Sequence, residues 1–194
     1  MNVKHFRVIF CAFFLARGGG AGNGTVDKRV PFCYTFFMEE MGFLPFVCPD
    51  SHTLILGSFP SVKSREEGFY YGNRQNRFWK ILAQTFSAPL PTSVEEKKAL
   101  LRAHRIALWD IVLSCDIVGS MDKDIRNPVI ADVPALLNAY PIRRILTNGG
   151  TAHALFVRHY PALAPLCLPL PSTSPANVRL DPQVWQDALL VSAE

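Results

Sequence analysis

An apolar run at residues 53–59 is the feature that most limits the folds open to this chain. Gly57 and Pro60 end the run, and apolar and polar residues do not alternate within it. A strand that is apolar on both sides is typical of a parallel sheet covered on both faces. Because parallel neighbours need long crossover connections, the run predicts a sheet whose strands alternate with helices.

Strand and helix patterns do alternate from residue 38 onward. The predicted strands are 53–59, 106–112, 144–147 and 166–170. The predicted helices are 75–86, 93–104, 131–140, 151–160 and 182–191, with a polar loop at 114–128. Ser93 followed by Glu96 predicts a capping box at the start of the second helix. The expected fold class is α/β, a three-layer α/β/α sandwich around a central, mostly parallel four-stranded sheet.

Each predicted strand is followed by polar residues at the point where it ends. The four exits are residues 58–61, Asp110, residues 148–149 and residues 172–177. In an open α/β sheet, ligands bind beyond the carboxyl ends of the parallel strands. The sequence therefore predicts one functional site that is assembled from these four exits.

Charge and cysteine content narrow the possible partners and cofactors. The net charge of +4 resides entirely in residues 1–37, so residues 38–194 are balanced. Affinity for nucleic acid must then come from a local patch. The candidates for that patch are Lys63, Arg65, Arg74 and Arg77. The five cysteines contain no CxxC pair, which argues against a structural zinc site or an iron–sulfur cluster and fits reduced thiols in the cytoplasm.

Residues 1–37 have two interpretations. Basic residues precede an apolar run at 8–16, and small residues follow it, which is the outline of a secretory signal. The run is too short to span a bilayer. The alternative, which we favour, is an N-terminal extension outside the fold, with Met38 or Met41 as the working start. A single cytoplasmic domain without membrane association is then expected over residues 38–194.

The densest group of chemistry-bearing residues follows the first strand. It comprises the turn Gly57-Ser58-Phe59-Pro60-Ser61, the loop Tyr70-Tyr71-Gly72-Asn73 and the segment Asn76-Arg77-Phe78-Trp79. Aromatic faces, amides and guanidinium groups at this density suit a site that holds a nucleobase beside phosphates. The stretch resembles motif 1 and the following loop of the uracil-DNA glycosylase superfamily, and more narrowly its hypoxanthine (deoxyinosine) DNA-glycosylase branch. The resemblance covers roughly residues 41–185.

The resemblance implies a role for the turn that follows the first strand. In the superfamily this turn lies against the extruded base, which assigns base binding to Gly57, Ser58, Phe59 and Pro60. The third residue of the turn is often the catalytic Asp or Asn of the superfamily. Phe59 occupies that position in this chain and cannot activate water.

In the hypoxanthine branch the catalytic amide lies in the following loop and maps onto Asn73. An amide carbonyl orients a water molecule, and fixed dipoles stabilise the oxocarbenium character that develops on the sugar. Asn76 is the alternative catalytic residue, although it also fits a helix cap ahead of Phe78. The family usually has Pro after the first Asn, whereas this chain has Arg74.

Asp110 aligns by strand order with the residue that reads the base in the superfamily. Its carboxylate would accept a hydrogen bond from N1–H of hypoxanthine, whereas adenine presents an acceptor at the same position. The alternative role for Asp110 is a cap outside the pocket. Tyr71, together with Tyr70 and Phe59, is expected to stack on the extruded base.

The segment after the last strand resembles motif 2, which contacts the phosphates around the target and inserts into the duplex. The corresponding residues are Ser172, Ser174, Pro175, Asn177 and Arg179, and Val178 is the candidate apolar wedge. The best-known members of the superfamily have a His at the start of this motif, where this chain has Ser172.

The resemblance implies a monofunctional DNA glycosylase that excises deaminated bases, chiefly hypoxanthine, from double-stranded DNA. The enzyme is expected to be a monomer and to need no metal or other cofactor, since water is the nucleophile. Two alternatives remain: a glycosylase for uracil, xanthine or mismatched bases, and a relative that binds damaged DNA without cutting. A serine hydrolase of the α/β type is disfavoured because the chain has no GxSxG motif.

Overall fold

The computed structural model describes residues 39–117, 119 and 121–191, so the predicted extension at residues 1–37 lies outside the described residues. The strands are β1 (Glu39–Met41), β2 (Thr53–Gly57), β3 (Ile106–Asp110), β4 (Val112–Asp116), β5 (Arg126–Ile130), β6 (Arg144–Asn148) and β7 (Cys167–Leu170). The α-helices are α1 (Val62–Glu67), α2 (Phe78–Thr85), α3 (Val94–Ala103), α4 (Val133–Ala139), α5 (Gly150–His159) and α6 (Pro182–Leu190). Two 3₁₀ turns lie at Asp122–Asp124 and Pro161–Leu166.

The central sheet has four parallel strands in the order β3-β2-β6-β7, and the predicted α/β fold class is confirmed. Gly57 at the end of β2 lies beside Asp110 at the end of β3. Asn148 at the end of β6 lies beside Leu170 at the end of β7. The carboxyl ends of all four strands therefore meet along one edge of the sheet.

Alternate side chains of the central strands enter two separate cores. Ile55 packs with α2, α3 and α6 on one face of the sheet. Leu54 and Leu56 pack with α4, α5 and β4 on the other face. All three side chains are completely buried, which explains why β2 is apolar throughout its length. The sheet thus forms the middle layer of three.

A second, antiparallel sheet is a correction to the sequence prediction. The predicted strand at 106–112 ends at Asp110, and the chain then turns into β4, which lies between β1 and β5. The predicted loop at 114–128 therefore contains most of β4 and part of β5. The strand β5 is mostly exposed and contains Pro128, so its formation depends on pairing with β4 rather than on an alternating apolar pattern.

The helices agree with their local signals except near the first predicted site. The capping box of Ser93 and Glu96 is present, and Pro134 lies in the first turn of α4. The helix α2 begins at Phe78 rather than at residue 75, because the preceding residues form side-chain-capped turns. The helix α1 was not predicted; it is six residues long and is capped by Ser61. In the part of the chain that the structure describes, no helix is long and apolar enough to cross a membrane.

Candidate functional site

The four predicted strand exits lie at one edge of the molecule. The Gly57 and Asp110 ends adjoin each other, and the backbone N–H of Gly149 donates to the carbonyl of Leu170. Asn148 at the third exit also holds the segment that follows the fourth exit. Its side-chain NH2 donates to Thr173 Oγ1 at 2.8 Å, and its carbonyl accepts from the Thr173 backbone N–H at 2.9 Å.

Gly57 permits an unusually close approach of polar side chains to the end of β2. A Cβ atom at Gly57 would overlap the carboxyl group of Asp110 and lie 3.3 Å from the Tyr71 hydroxyl. Glycine is therefore required here by space, because any side chain would displace these two groups. The same contacts show that Asp110 and Tyr71, predicted from separate motifs, are brought together at one point.

Asp110 is a buried carboxyl group with unused hydrogen-bonding capacity. The residue is 4% exposed, and its Oδ2 atom has no hydrogen-bond partner among the described residues. Burial, assisted by the negative charge of Asp122, raises the pKa of Asp110 to about 7. The group therefore changes its charge near neutral pH, and a ligand that donates a hydrogen bond would stabilise the carboxylate. Strongly shifted buried carboxyls of this kind are typical of functional sites.

Tyr71 presents a second buried polar group at the same place. Its hydroxyl oxygen is buried without a hydrogen-bond partner of normal geometry in the described chain, while the residue as a whole is half-buried. Burial and the nearby Asp110 carboxyl raise the pKa of Tyr71 well above its usual value, against a smaller opposing effect of the neighbouring Asn148 side chain. The ring stacks on Phe78 at a centroid distance of 4.0 Å, and the backbone has a φ of +53°. A left-handed conformation in a bulky residue is strained, and such strain concentrates at functional sites.

The turn after β2 is held by contacts on both of its sides. Ser58 Oγ donates to Asp122 Oδ1 at 2.6 Å, which brings a residue from the β4–β5 connection to the site. Phe59 packs against the core on the α4 and α5 side, with the Arg65 guanidinium 5.5 Å from its ring centroid. Pro60 is buried, and its carbonyl accepts a hydrogen bond from Arg65.

Tyr70 does not take the stacking role considered for it. It is 3% exposed, and its hydroxyl donates to the carbonyl of Leu44 at 3.0 Å. Its backbone carbonyl accepts from the indole N–H of Trp79. Tyr70 is therefore a core residue that supports Tyr71, and the aromatic surface available at the site belongs to Tyr71.

The two candidate catalytic amides both cap local turns. Asn73 Oδ1 accepts from the backbone N–H of Gln75 at 3.0 Å, and Asn76 Oδ1 accepts from that of Phe78 at 3.0 Å. The bond made by Asn76 closes the turn that leads into α2, whose N-cap residue is Arg77. Both residues are half-buried, so each side chain retains some access to solvent.

Arg77 anchors the motif 2 segment, so part of its guanidinium group is already engaged by the protein. Its guanidinium donates to the carbonyls of Ser174 at 2.5 Å and Asn177 at 2.6 Å, and its backbone N–H donates to that of Thr173. Arg65 is likewise engaged, with the carbonyl of Pro60. Two of the four cations assigned to a phosphate patch therefore serve the protein's own loops.

The motif 2 segment has an ordered base and an exposed tip. Asn177 donates from its side chain to the Ser172 carbonyl at 2.9 Å, and Ser172 Oγ accepts from the Ser174 backbone N–H. Pro175 and Arg179 are exposed, and Val178 is 86% exposed. The base of the segment is thus fixed by hydrogen bonds, whereas an apolar side chain and a cation project from its tip.

A cleft at the opposite edge of the sheet does not belong to this site. Its volume is about 480 Å³, and His52, His104 and Arg144 lie on its walls. Arg144 donates to the carbonyls of Ala188 and Val191 at the end of α6, which is a structural role. Among the described residues, no group of three or more His, Cys, Asp or Glu side chains is arranged to hold a metal ion.

Comparison with known proteins places this architecture in a defined class. The profile of the Uracil DNA glycosylase superfamily matches residues 44–189, which include all four strand exits. The chain therefore belongs to the uracil DNA glycosylase superfamily, and membership implies DNA as the substrate. The match also encloses the central sheet and the whole motif 2 segment.

Two relatives from Methanosarcina species are named hypoxanthine DNA glycosylase. The protein of Methanosarcina acetivorans is 32% identical over 143 residues, which are 73% of this chain and 90% of the relative. The protein of Methanosarcina barkeri is 29% identical over 114 residues, which are 58% and 72% of the two chains. A solution NMR structure of a candidate uracil DNA glycosylase from M. acetivorans is 31% identical and has a TM-score of 0.67. The alignment with it covers 78% of this chain and 97% of that one.

Proposed function

We propose that this protein is a monofunctional DNA glycosylase that removes hypoxanthine from double-stranded DNA and leaves an abasic site. The observation that carries the proposal is the pair of buried, unpartnered polar atoms, Asp110 Oδ2 and the Tyr71 hydroxyl, at the carboxyl edge of the sheet. Buried polar groups are almost always satisfied in native structures. An extruded base supplies the hydrogen-bonding partners that this site lacks.

Asp110 selects the base through its protonation state. As a carboxylate it accepts a hydrogen bond from N1–H of hypoxanthine, whereas N1 of adenine is an acceptor and would face the negative oxygen. A mismatch of this kind leaves buried groups unpaired, which discriminates strongly against the wrong base. Because the pKa of Asp110 is about 7, the discriminating form is present from neutral pH upward.

Asn73 positions the water that attacks the sugar. The C1′–N9 bond breaks with its electron pair moving to the base, while the water oxygen bonds to C1′ and one water proton ends on the departing base. The oxocarbenium character of the sugar needs positioned dipoles more than a strong base. Asn73 lies two residues from Tyr71 on the same loop, and the Tyr71 backbone has a φ of +53°.

The motif 2 segment binds the duplex. Ser172, Ser174 and Asn177 form its base, and hydroxyl and backbone N–H groups of this kind bind phosphate oxygens. Val178 enters the space that the extruded base leaves, and Arg179 contacts the adjacent backbone. The acting unit is a cytoplasmic monomer whose catalytic domain spans residues 38–194.

The test uses duplexes that carry inosine, uracil or xanthine at one position, incubated with the protein and then treated with alkali. We expect strand cleavage chiefly at inosine, whose base is named in both relatives. Xanthine also presents N1–H to Asp110, so comparable cleavage at xanthine would show that this contact does not separate the two purines. Product from uracil alone would refute the hypoxanthine assignment. Binding to the inosine duplex without any alkali-labile product would refute the enzymatic role and favour a protein that only recognises damage.

A further inference from the structure

An ion pair between a buried lysine and a partly exposed glutamate lies behind the loop that carries Asn73. Lys97 of α3 is 5% exposed, and its ammonium group pairs with Glu67 Oε1 at the end of α1. The same ammonium group lies 5.5 Å from the centre of the Trp79 ring. A lysine is seldom buried to this extent unless it is paired, so the carboxylate of Glu67 is the feature that makes this position tenable.

The other oxygen of Glu67 faces the backbone of Gly72. A Cβ atom at Gly72 would overlap Glu67 Oε2, and it would lie 2.9 Å from the Lys63 carbonyl and 3.0 Å from Ser64 Cα. The backbone N–H of Gly72 donates to Ser64 Oγ at 3.1 Å. The loop between Tyr71 and Asn73 is therefore seated directly on α1, with no room for a side chain between them.

The ion pair is not explained by packing alone. An apolar side chain at position 97 would fill the space beside Trp79 without any cost of desolvating a charge, and such replacements of buried ion pairs are often neutral or stabilising. A lysine at this position does what an apolar residue cannot, because it fixes the carboxylate of Glu67, whose side chain is 30% exposed and would otherwise be able to turn to solvent. Fixing that carboxylate also fixes the surface on which Gly72 lies.

We propose that Lys97 and Glu67 are positioning residues that hold the Tyr71–Asn73 loop in its reactive geometry. The inference rests on the proposed catalytic role of Asn73. Lys97 acts through Glu67 and Gly72 and does not touch the substrate. Misplacement of a catalytic group by about 1 Å costs on the order of a hundredfold in rate. We therefore expect a lower turnover number when this loop is held less firmly.

The test is the substitution Lys97→Met, which keeps an unbranched apolar side chain over Trp79 and releases Glu67 to solvent. We expect the kcat for an inosine duplex to fall by about tenfold to a hundredfold, with KM within about twofold of the wild type. Lys97→Arg retains the charge and should restore most of the loss. Lys98→Met is the matched control, since Lys98 lies on the same helix and pairs at 3.9 Å with the exposed Glu95.

Hydrogen exchange of the Gly72 amide, followed by NMR, tests the inference without any reference to activity. The N–H of Gly72 is bonded to Ser64 Oγ, so we expect faster exchange at Gly72 in Lys97→Met but not in Lys98→Met. Unchanged exchange at Gly72, or a wild-type kcat in Lys97→Met, would overturn the positioning role. A wild-type protein that does not cleave inosine would overturn the proposed function instead, and the exchange measurement would still decide whether the ion pair holds the loop.

Discussion

The two loops that border the site differ in how their polar groups are satisfied. Around the end of β2, Asp110 and Tyr71 each bury a polar atom that has no partner within the described residues. In the motif 2 segment, by contrast, Asn148 and Arg77 bond to the backbone of Thr173, Ser174 and Asn177. Among the described residues, the first region thus buries two oxygen atoms without a partner, whereas the second bonds its backbone within the protein and leaves the Arg77 Nε atom unpaired.

This difference assigns base selection and catalysis to the first region and DNA affinity to the second. An unpaired buried group costs free energy in the free protein and regains it when the correct ligand binds, so it confers selectivity. A loop that is already fixed by hydrogen bonds loses little conformational entropy when DNA binds, so it confers affinity. Substitutions in the first region should therefore change kcat and base preference, whereas substitutions in the second should change KM for DNA.

The largest effect is expected for Asn73→Ala. The variant loses the amide that positions water, and we expect kcat for inosine excision to fall by about a hundredfold or more while binding of the duplex persists. Asn76→Ala is the comparison, because it removes the bond to the Phe78 N–H and should cost about 1 kcal/mol of stability with a much smaller loss of rate. Single-turnover kinetics and thermal unfolding separate the two. The reverse pattern would move the chemistry to Asn76.

Asp110→Leu should have the next largest effect. Removal of the acceptor for N1–H is expected to lower kcat/KM for inosine by about tenfold to a hundredfold, the range for a hydrogen bond to a charged group. The ratio of inosine to adenine excision should fall with it. Competition between the two duplexes measures that ratio, and an unchanged ratio would show that Asp110 does not read the base.

The pH dependence of inosine excision gives a finer test of the role of Asp110. In the wild type, inosine excision should rise as the pH increases through about 7, because the carboxylate that accepts N1–H then forms. Asp110→Asn retains an acceptor that does not titrate, so its profile should lack this step. A step of the same height and position in Asp110→Asn would assign the titration to another group.

The stability of the fold should change with pH in the opposite sense to the rate of excision. The folded pKa of Asp110 lies above its unfolded value, so the protonated form stabilises the fold at low pH, and this contribution is lost as the pH rises through about 7. Asp110→Asn should therefore gain stability relative to the wild type above neutral pH, on the order of a few kcal/mol at most. Chemical denaturation at about pH 5 and about pH 8 measures the difference; equal shifts at both values would contradict the assignment.

The parts of the fold and site that follow from local sequence were the predictable ones. The apolar strand β2, the Ser93 capping box and the exit residue Asp110 each depend on neighbours along the chain. The strand β5 and the contribution of Asp122 were missed because the connection that contains them is polar. Its structure depends on pairing with β4 and on one bond to Ser58, which is 64 residues away.

The structural role of Arg77 likewise could not be predicted from the local sequence. The sequence assigned it to a phosphate patch because it is a cation beside aromatic residues. Its real partners are carbonyls 97 and 100 residues away, and nothing in the local pattern identifies them. The predicted roles of Asn73, Asp110 and the motif 2 residues stay predictions until the variants above are measured, but the sequence did identify the edge of the sheet on which they lie.

Substitution of Arg77 tests the second region directly. Arg77→Met leaves the carbonyls of Ser174 and Asn177 without their charged donor, and we expect a loss of about 2 kcal/mol of stability. Because the motif 2 segment loosens while the Asn73 loop is unchanged, KM for the inosine duplex should rise by about tenfold with kcat within severalfold of the wild type. A selective loss of kcat instead would mean that the two regions are not separable.

Val178→Ala is expected to give the smallest effect. It should also give the clearest contrast between excision from double-stranded and from single-stranded DNA. The side chain is 86% exposed in the free protein, so its truncation should leave the free energy of unfolding within about 0.5 kcal/mol of the wild type. If Val178 fills the space left by the extruded base, excision from a base-paired duplex should fall several-fold, because extrusion of a stacked base costs a few kcal/mol. Excision from single-stranded DNA needs no such wedge and should be unaffected. Equal losses on both substrates would place Val178 in general DNA binding and remove it from the extrusion step.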